Sequence, residues 1–240
     1  MRAKYLCSAN AIKCAATAID PNLHIPFLRR LLSYLYPVKI RTAAGSTTPL
    51  LHLFLYQGRW QLASATALYS DGDHYRPLLA AFRLLRPRLQ QCREILVMGA
   101  GLGSAVYILD HLRYKIPVTL VDLDQTVIDW GKELLPERLL ANTTWIRADV
   151  REFVTAHEQT YDLVVTDIFE DRIVPGFVTS ETFLQRCARL LADQNSVLVL
   201  NYIVNNAGTW KEVQNTISKI FRIVKIIDLG INQVIIATQL

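Results

Sequence analysis

The end of the chain constrains the fold more than any other part of it. Two strand-like runs, 221–229 and 233–238, are separated only by Gly230-Ile231-Asn232. A parallel crossover needs a dozen or more residues, so the second run must turn back antiparallel to the first. From Glu94 up to that point, strand-like and helix-like segments alternate. Strands are expected at 95–98, 118–121, 144–146, 163–165 and 197–200, with helices between them at 105–112, 127–134, 151–156 and 181–191. A further helix is expected to start at Thr209, where Thr209 and Glu212 make a capping box. Short apolar strands alternating with helices imply a parallel sheet covered on both faces.

The part before residue 94 reads differently. Leucines at helical spacing predict a helix over 26–36, which Pro37 ends. Leu51, Leu53 and Leu55 alternate with His52, Phe54 and Tyr56; Gln57-Gly58 makes a turn, and Trp60 and Leu62 resume the alternation, a β-hairpin pattern. A second helix is expected over 75–85, with Pro77 in its first turn. The expected domains are therefore 1–92, a helix plus a small β-hairpin domain, and 93–240, an α/β domain. The fold class is α/β: a Rossmann-like, methyltransferase-type sheet with a C-terminal antiparallel β-hairpin, preceded by a small N-terminal α+β region.

Composition narrows the class. A hydrophobic share of 51% with 20% charged residues fits a globular chain of 240 residues with a sizeable core. The longest uncharged apolar stretch, 95–109, is broken by three glycines (99, 101 and 103) and is shorter than the roughly 20 residues of a membrane span. The first 20 residues lack a clean secretory pattern, although their lack of acids before Asp20 leaves a transit-peptide reading open. Cys7, Cys14, Cys92 and Cys187 show no zinc-ligand spacing, so no metal is expected and free thiols in the cytoplasm are. Mean hydropathy is slightly positive, which suggests apolar surface buried between subunits of a homodimer. Up to Arg93 there are 13 Lys/Arg but only Asp20, Asp71 and Asp73 as acids, a bias that serves either an anionic partner or a solvated surface.

Chemistry concentrates at the ends of the predicted strands. Gly99-Ala100-Gly101-Leu102-Gly103 follows the first strand and opens a helix, where glycine lets the backbone approach a ligand. The dinucleotide fingerprint would need glycine at position 104, which is Ser104. An adenosine-containing ligand without pyrophosphate fits better. Asp122 ends the second strand and can accept two hydrogen bonds from a ribose diol; Asp124 reads as a helix cap. Asp149 ends the third strand, and either accepts from an adenine amino group or caps the helix that follows. Asp167, Glu170 and Asp171 follow the fourth strand, where such sheets place ligands and where clustered carboxylates suit proton abstraction. The segment 169–177 is expected to cover the site.

These motifs together resemble the spermidine synthases. The glycine loop, Val121-Asp122-Leu123-Asp124, Ala148-Asp149-Val150-Arg151-Glu152-Phe153 and the strand ending in Asp167 carry the resemblance, with Tyr69-Ser70-Asp71-Gly72-Asp73-His74-Tyr75 resembling that family's N-terminal β domain. The resemblance implies that Gly99, Gly101, Leu102, Gly103, Asp122, Leu123, Asp149 and Val150 hold S-adenosylmethionine or its decarboxylated form. It implies Asp167, with Glu170, as the catalytic carboxylates, and Asp73 and Tyr75 on the acceptor wall. The chain also departs from the family. Leu102 stands where members carry the aspartate that pairs with the donor's ammonium, and Arg76-Pro77 follows Tyr75 where members have His-Glu. On those departures the expected reaction is methyl transfer to a small molecule. Aminopropyl transfer is the alternative, a non-catalytic adenosine-ligand-binding protein the second, and neither nucleic acid nor a membrane is an expected partner.

Overall fold

The computed structural model describes residues 25–45 and 50–240. Cys7 and Cys14 lie outside the described residues. Helix α1 (Phe27–Leu32) is shorter than its leucine spacing predicts. The Ser33 hydroxyl donates to the Arg30 carbonyl, and the Ser33 carbonyl accepts from Gln57 N at 2.9 Å, which ties the chain to the hairpin instead of continuing the helix.

A four-stranded antiparallel sheet follows, in the order β1 (Val38–Ala43), β2 (Leu51–Tyr56), β3 (Arg59–Ala63), β4 (Leu68–Ser70). The hairpin between β2 and β3 turns at Gln57 (φ 50°) and Gly58 (φ 74°), the paired positive values of a two-residue turn that matches strand twist. Strand β1, which the sequence does not announce, is fixed by pairing with β2. Leu51, Leu53 and Leu62 bury one face of this sheet against Leu102, Val127 and Trp130 of the larger unit.

Helix α2 (Arg76–Leu84) buries Leu78, Ala81 and Phe82 on one face, and α3 (Arg86–Leu89) follows it. That face joins the core of the large sheet through Ile95, Val97 and Ile236. The residues from Tyr75 to Leu89 therefore pack with the α/β unit, although the sequence groups them with the hairpin.

The large sheet comprises β5 (Ile95–Met98), β6 (Val118–Asp122), β7 (Thr143–Arg147), β8 (Leu163–Thr166), β9 (Val197–Ile203), β10 (Phe221–Leu229) and β11 (Asn232–Gln239). Its order is β10-β11-β9-β8-β5-β6-β7, parallel throughout except where β11 runs antiparallel to β9 and β10. The expected hairpin closure is observed. Helices α4 (Ser104–His111), α5 (Gln125–Leu134), α6 (Glu137–Leu140), α7 (Val150–Ala156), α8 (Glu181–Arg189) and α9 (Ala207–Ser218) join the strands. Helix α9 starts two residues before the predicted Thr209, because Asn206 rather than Thr209 caps it, accepting from Gly208 N at 2.7 Å and Thr209 N at 3.3 Å. The order of strands reverses between β5 and β8, and ligand crevices open beyond the strand ends at such a point. No helix among the described residues is long and apolar enough to cross a membrane.

Candidate functional site

The crevice begins where β5 ends. Gly99 N donates to the Val121 carbonyl at 2.9 Å, and Asp167 N donates to the Met98 carbonyl at 2.8 Å, so three strand ends converge on one loop. A cavity of about 160 Å³ opens there. Gly99, Gly101, Asp122, Leu123, Asp149, Val150, Asp167 and Glu170 all line it.

Asp122 accepts Ala100 N and Asp124 N, each at 3.0 Å, one on each carboxylate oxygen. Each oxygen keeps a lone pair for a diol. Burial pushes its carboxyl up to about 6, against the pull of those backbone donors. Asp122→Ala is expected to weaken binding of an adenosyl ligand by about 1.5–3 kcal/mol, the worth of a charge-assisted hydrogen bond, measured by calorimetry. Asp149 caps α7 through Arg151 N at 2.9 Å. It also receives the Arg151 Nε at 3.0 and 3.1 Å, which with the other guanidinium bond holds its carboxyl below the ordinary value. Arg151 lies 5.3 Å from the centre of the Phe177 ring, so the Asp149 end of the cavity is braced by a guanidinium that local sequence pattern does not single out.

Asp167 is 7% exposed. Its Oδ1 accepts Asn201 Nδ2 at 2.7 Å and Tyr75 Oη at 3.2 Å, and Asn201 Oδ1 in turn accepts Asn232 Nδ2 at 3.0 Å. Burial pushes the Asp167 carboxyl up to about 6, while its two donors pull it down. Burial and the Asp167 charge push the Tyr75 phenol well above its ordinary value, so it acts as a donor. Asn201 is also absent from the sequence reading. The legible signal was a side-chain amide inside the otherwise apolar run from Val197 to Leu200 and on to Ile203, near the carboxyl end of its strand.

Three predicted site residues stand elsewhere. Leu102 does not line the cavity; it is 1% exposed among Leu51, Leu53, Leu62, Val127 and Trp130, because an apolar side chain gains more from the sheet junction than from the polar crevice. Its N–H donates to Ser70 Oγ at 3.2 Å. Leu102→Asp would therefore bury an unpaired charge, and a loss of about 3–5 kcal/mol is expected in denaturant unfolding. Gly103 faces Leu135 and Trp145, away from the cavity. Asp73 turns from the acceptor wall to two imidazoles, His74 Nδ1 at 2.8 Å and His111 Nδ1 at 3.2 Å, so that it joins the turn before α2 to α4.

A second cavity, of about 400 Å³, adjoins the first. Tyr75 lines it, and Phe169 lines both. Tyr69 stacks on Phe169 with centroids 5.2 Å apart and planes 5° apart, and its hydroxyl accepts Asp171 N at 2.7 Å. The segment after β8 is thereby held over the crevice by the small sheet. Asp167 and Tyr75 form the link between the two cavities.

Residues 75–231 match the spermine/spermidine synthase domain, more than half of the chain. The chain belongs to the spermine/spermidine synthase family. A curated relative is polyamine aminopropyltransferase 1 of Pseudomonas aeruginosa, 31% identical over 45% of this chain and 39% of the relative. Another is a probable polyamine aminopropyl transferase of Bifidobacterium longum, 26% identical over 62% of this chain and 33% of that protein. The matches span well under half the length of these two relatives. Among solved structures, a probable spermidine synthase from Corynebacterium glutamicum has a TM-score of 0.68 at 18% identity, covering 82% of this chain and 79% of that one. Human methyltransferase-like protein 13 in complex with SAH has a TM-score of 0.59 at 19% identity, covering 70% and 82%. Spermidine synthases and methyltransferases thus share this family member's α/β fold. The names of the relatives stand with aminopropyl transfer rather than with the methyl transfer expected from the sequence.

Proposed function

We propose that the chain is an aminopropyltransferase that uses decarboxylated S-adenosylmethionine. The observation that carries this reading is the charge of the donor cavity. Among the described residues, Asp122, Asp124, Asp149, Asp167 and Glu170 line it against a single cation, Arg151, which is already bound to Asp149. The decarboxylated donor brings a sulfonium and an ammonium. The complete donor adds a carboxylate that such a wall repels. The expectation of methyl transfer rested on the departures at Leu102 and at Arg76-Pro77; of these, Leu102 is buried away from the cavity and so does not bear on the choice of donor.

In this reading Asp122 holds the ribose and Asp149 stands at the adenine end. The acceptor amine enters from the second cavity past Tyr75. Its nitrogen bonds to the propyl carbon as the carbon–sulfur bond breaks, the electron pair stays on sulfur, and methylthioadenosine leaves as a neutral thioether. No acid is needed for departure. The protein aligns the two reactants and Asp167 takes the amine's proton. Assembly as a homodimer belongs to the same proposal, supported by the exposed apolar side chains Phe27, Leu28 and Leu31 of α1.

The test is calorimetry with both donors, followed by product analysis with an amine acceptor. The decarboxylated donor should bind at least about tenfold more tightly, the scale of one exposed charge interaction, and release methylthioadenosine. Tighter binding of S-adenosylmethionine, with a methylated product, would establish methyl transfer instead.

A further inference from the structure

The charges of the second cavity differ in kind from those of the first. Its two lining carboxylates are committed to holding the walls. Asp71 accepts Gln61 Nε2 at 2.8 Å and lies 3.5 Å from Arg59 Nε. Asp171 receives the Ser64 hydroxyl and, at 3.4 Å, the Tyr69 hydroxyl. Hydroxyl donors, Ser64 first, keep its carboxyl below the ordinary value. The two lining guanidiniums are uncommitted. Arg76 comes from the start of α2 and Arg172 from the segment after β8, and neither pairs with a carboxylate among the described residues. Both side chains are exposed to the solvent that fills the cavity.

An acceptor with ammonium groups at both ends would meet two free cations here and no free carboxylate. An acceptor with an amine at one end and an anion at the other would satisfy both regions. Its amine would lie toward Tyr75 and Asp167, and its anionic end would take charge-assisted hydrogen bonds from Arg76 and Arg172. We propose that the acceptor site selects a primary amine whose far end carries a carboxylate, with Arg76 and Arg172 as the residues that set this preference. The inference rests on the transferase reading for the identity of the site, and it narrows the acceptor rather than the donor.

The test compares two amines of equal chain length, 4-aminobutanoate and 1,4-diaminobutane. Each is titrated at low salt into the full-length protein, with and without methylthioadenosine. The expected result is at least about tenfold tighter binding of 4-aminobutanoate, as one charge-assisted contact provides. The contrast should weaken as salt is raised. The double variant R76Q/R172Q should lose the contrast while its affinity for methylthioadenosine stays unchanged. Equal or tighter binding of the diamine, persistence of the contrast in the double variant, or no binding of either amine would overturn the proposal. Failure of methylthioadenosine itself to bind would sink the donor reading separately, and the amine comparison on the unloaded protein would still decide this one.

Discussion

Asp167→Asn is expected to bind the adenosyl donor with near-normal affinity and to turn over at least about a hundredfold more slowly, since a general base is removed. Both donors to the native side chain reach the same oxygen, Oδ1, which an asparagine retains, so Tyr75 and Asn201 keep their partner. The wild-type rate should rise with pH through about 6, where the buried Asp167 carboxyl ionises, and then level off. The same shift acts on stability in the opposite sense. Asp122 and Asp167 each titrate near 6 in the fold, above the 3.8 of an unperturbed aspartate. Between about pH 4 and 6 the folded state therefore binds more protons than the unfolded one. The stability these groups contribute is present below about pH 4 and lost as pH rises through about 6. Asp167→Asn removes one such cost and should stabilise the unliganded protein at pH 7.5 by about 1–3 kcal/mol. Unaltered turnover would show that Asp167 only shapes the cavity. A variant both slow and unstable would show that the carboxylate supports the fold.

Gly99→Ala should be strongly damaging for a single added methyl group. Gly99 sits at φ 89°, where a side chain is strained. A Cβ there would lie 2.1 Å from the Asp167 carbonyl oxygen and 2.8 Å from its carbonyl carbon. The end of β8 would have to move away from β5, at a cost of about 2–5 kcal/mol from strain and overpacking together. The displaced backbone is that of the proposed base itself. A shift of about 1 Å there should cost roughly a further hundredfold in turnover. Gly176→Ala is the matched control, since nothing lies within 4 Å of its added Cβ, and it should stay within about 0.5 kcal/mol of the wild type. Thermal unfolding and turnover of the two variants decide the matter; equal behaviour would mean that the β5–β8 contact has slack.

Much of the architecture follows from local pattern. The strand at 95–98 has its predicted bounds, and the other four parallel strands differ from expectation by one to three residues at their ends. Their apolar runs can be buried only between two layers of helices. The short connection at Gly230, two residues in the structure, forces the antiparallel return whatever else the chain does. Residues at strand ends were legible as ligand positions for the same reason. The sheet order places Gly99, Asp122, Asp149 and Asp167 around one crevice without regard to side-chain detail.

What the sequence could not assign is the direction of side chains whose surroundings come from distant segments. Leu102 follows Gly101 in the loop, a position that local pattern alone points at the donor; the small sheet, folding back from residues 51–62, and α5 supply the apolar cluster that turns it away. Asp73 reads as part of a substrate motif until α4 brings His111 to it. Asn201 lies 34 residues from Asp167 and becomes its partner through the parallel pairing of β8 with β9. The sequence by itself determined the sheet, its helix layers and its C-terminal hairpin, because periodicity and connection length act over a few residues. The tertiary structure alone decided which side chains turn away from the cavity, which carboxylates are spent on the walls and which donors hold the proposed base, because burial and charge pairing depend on neighbours far away along the chain.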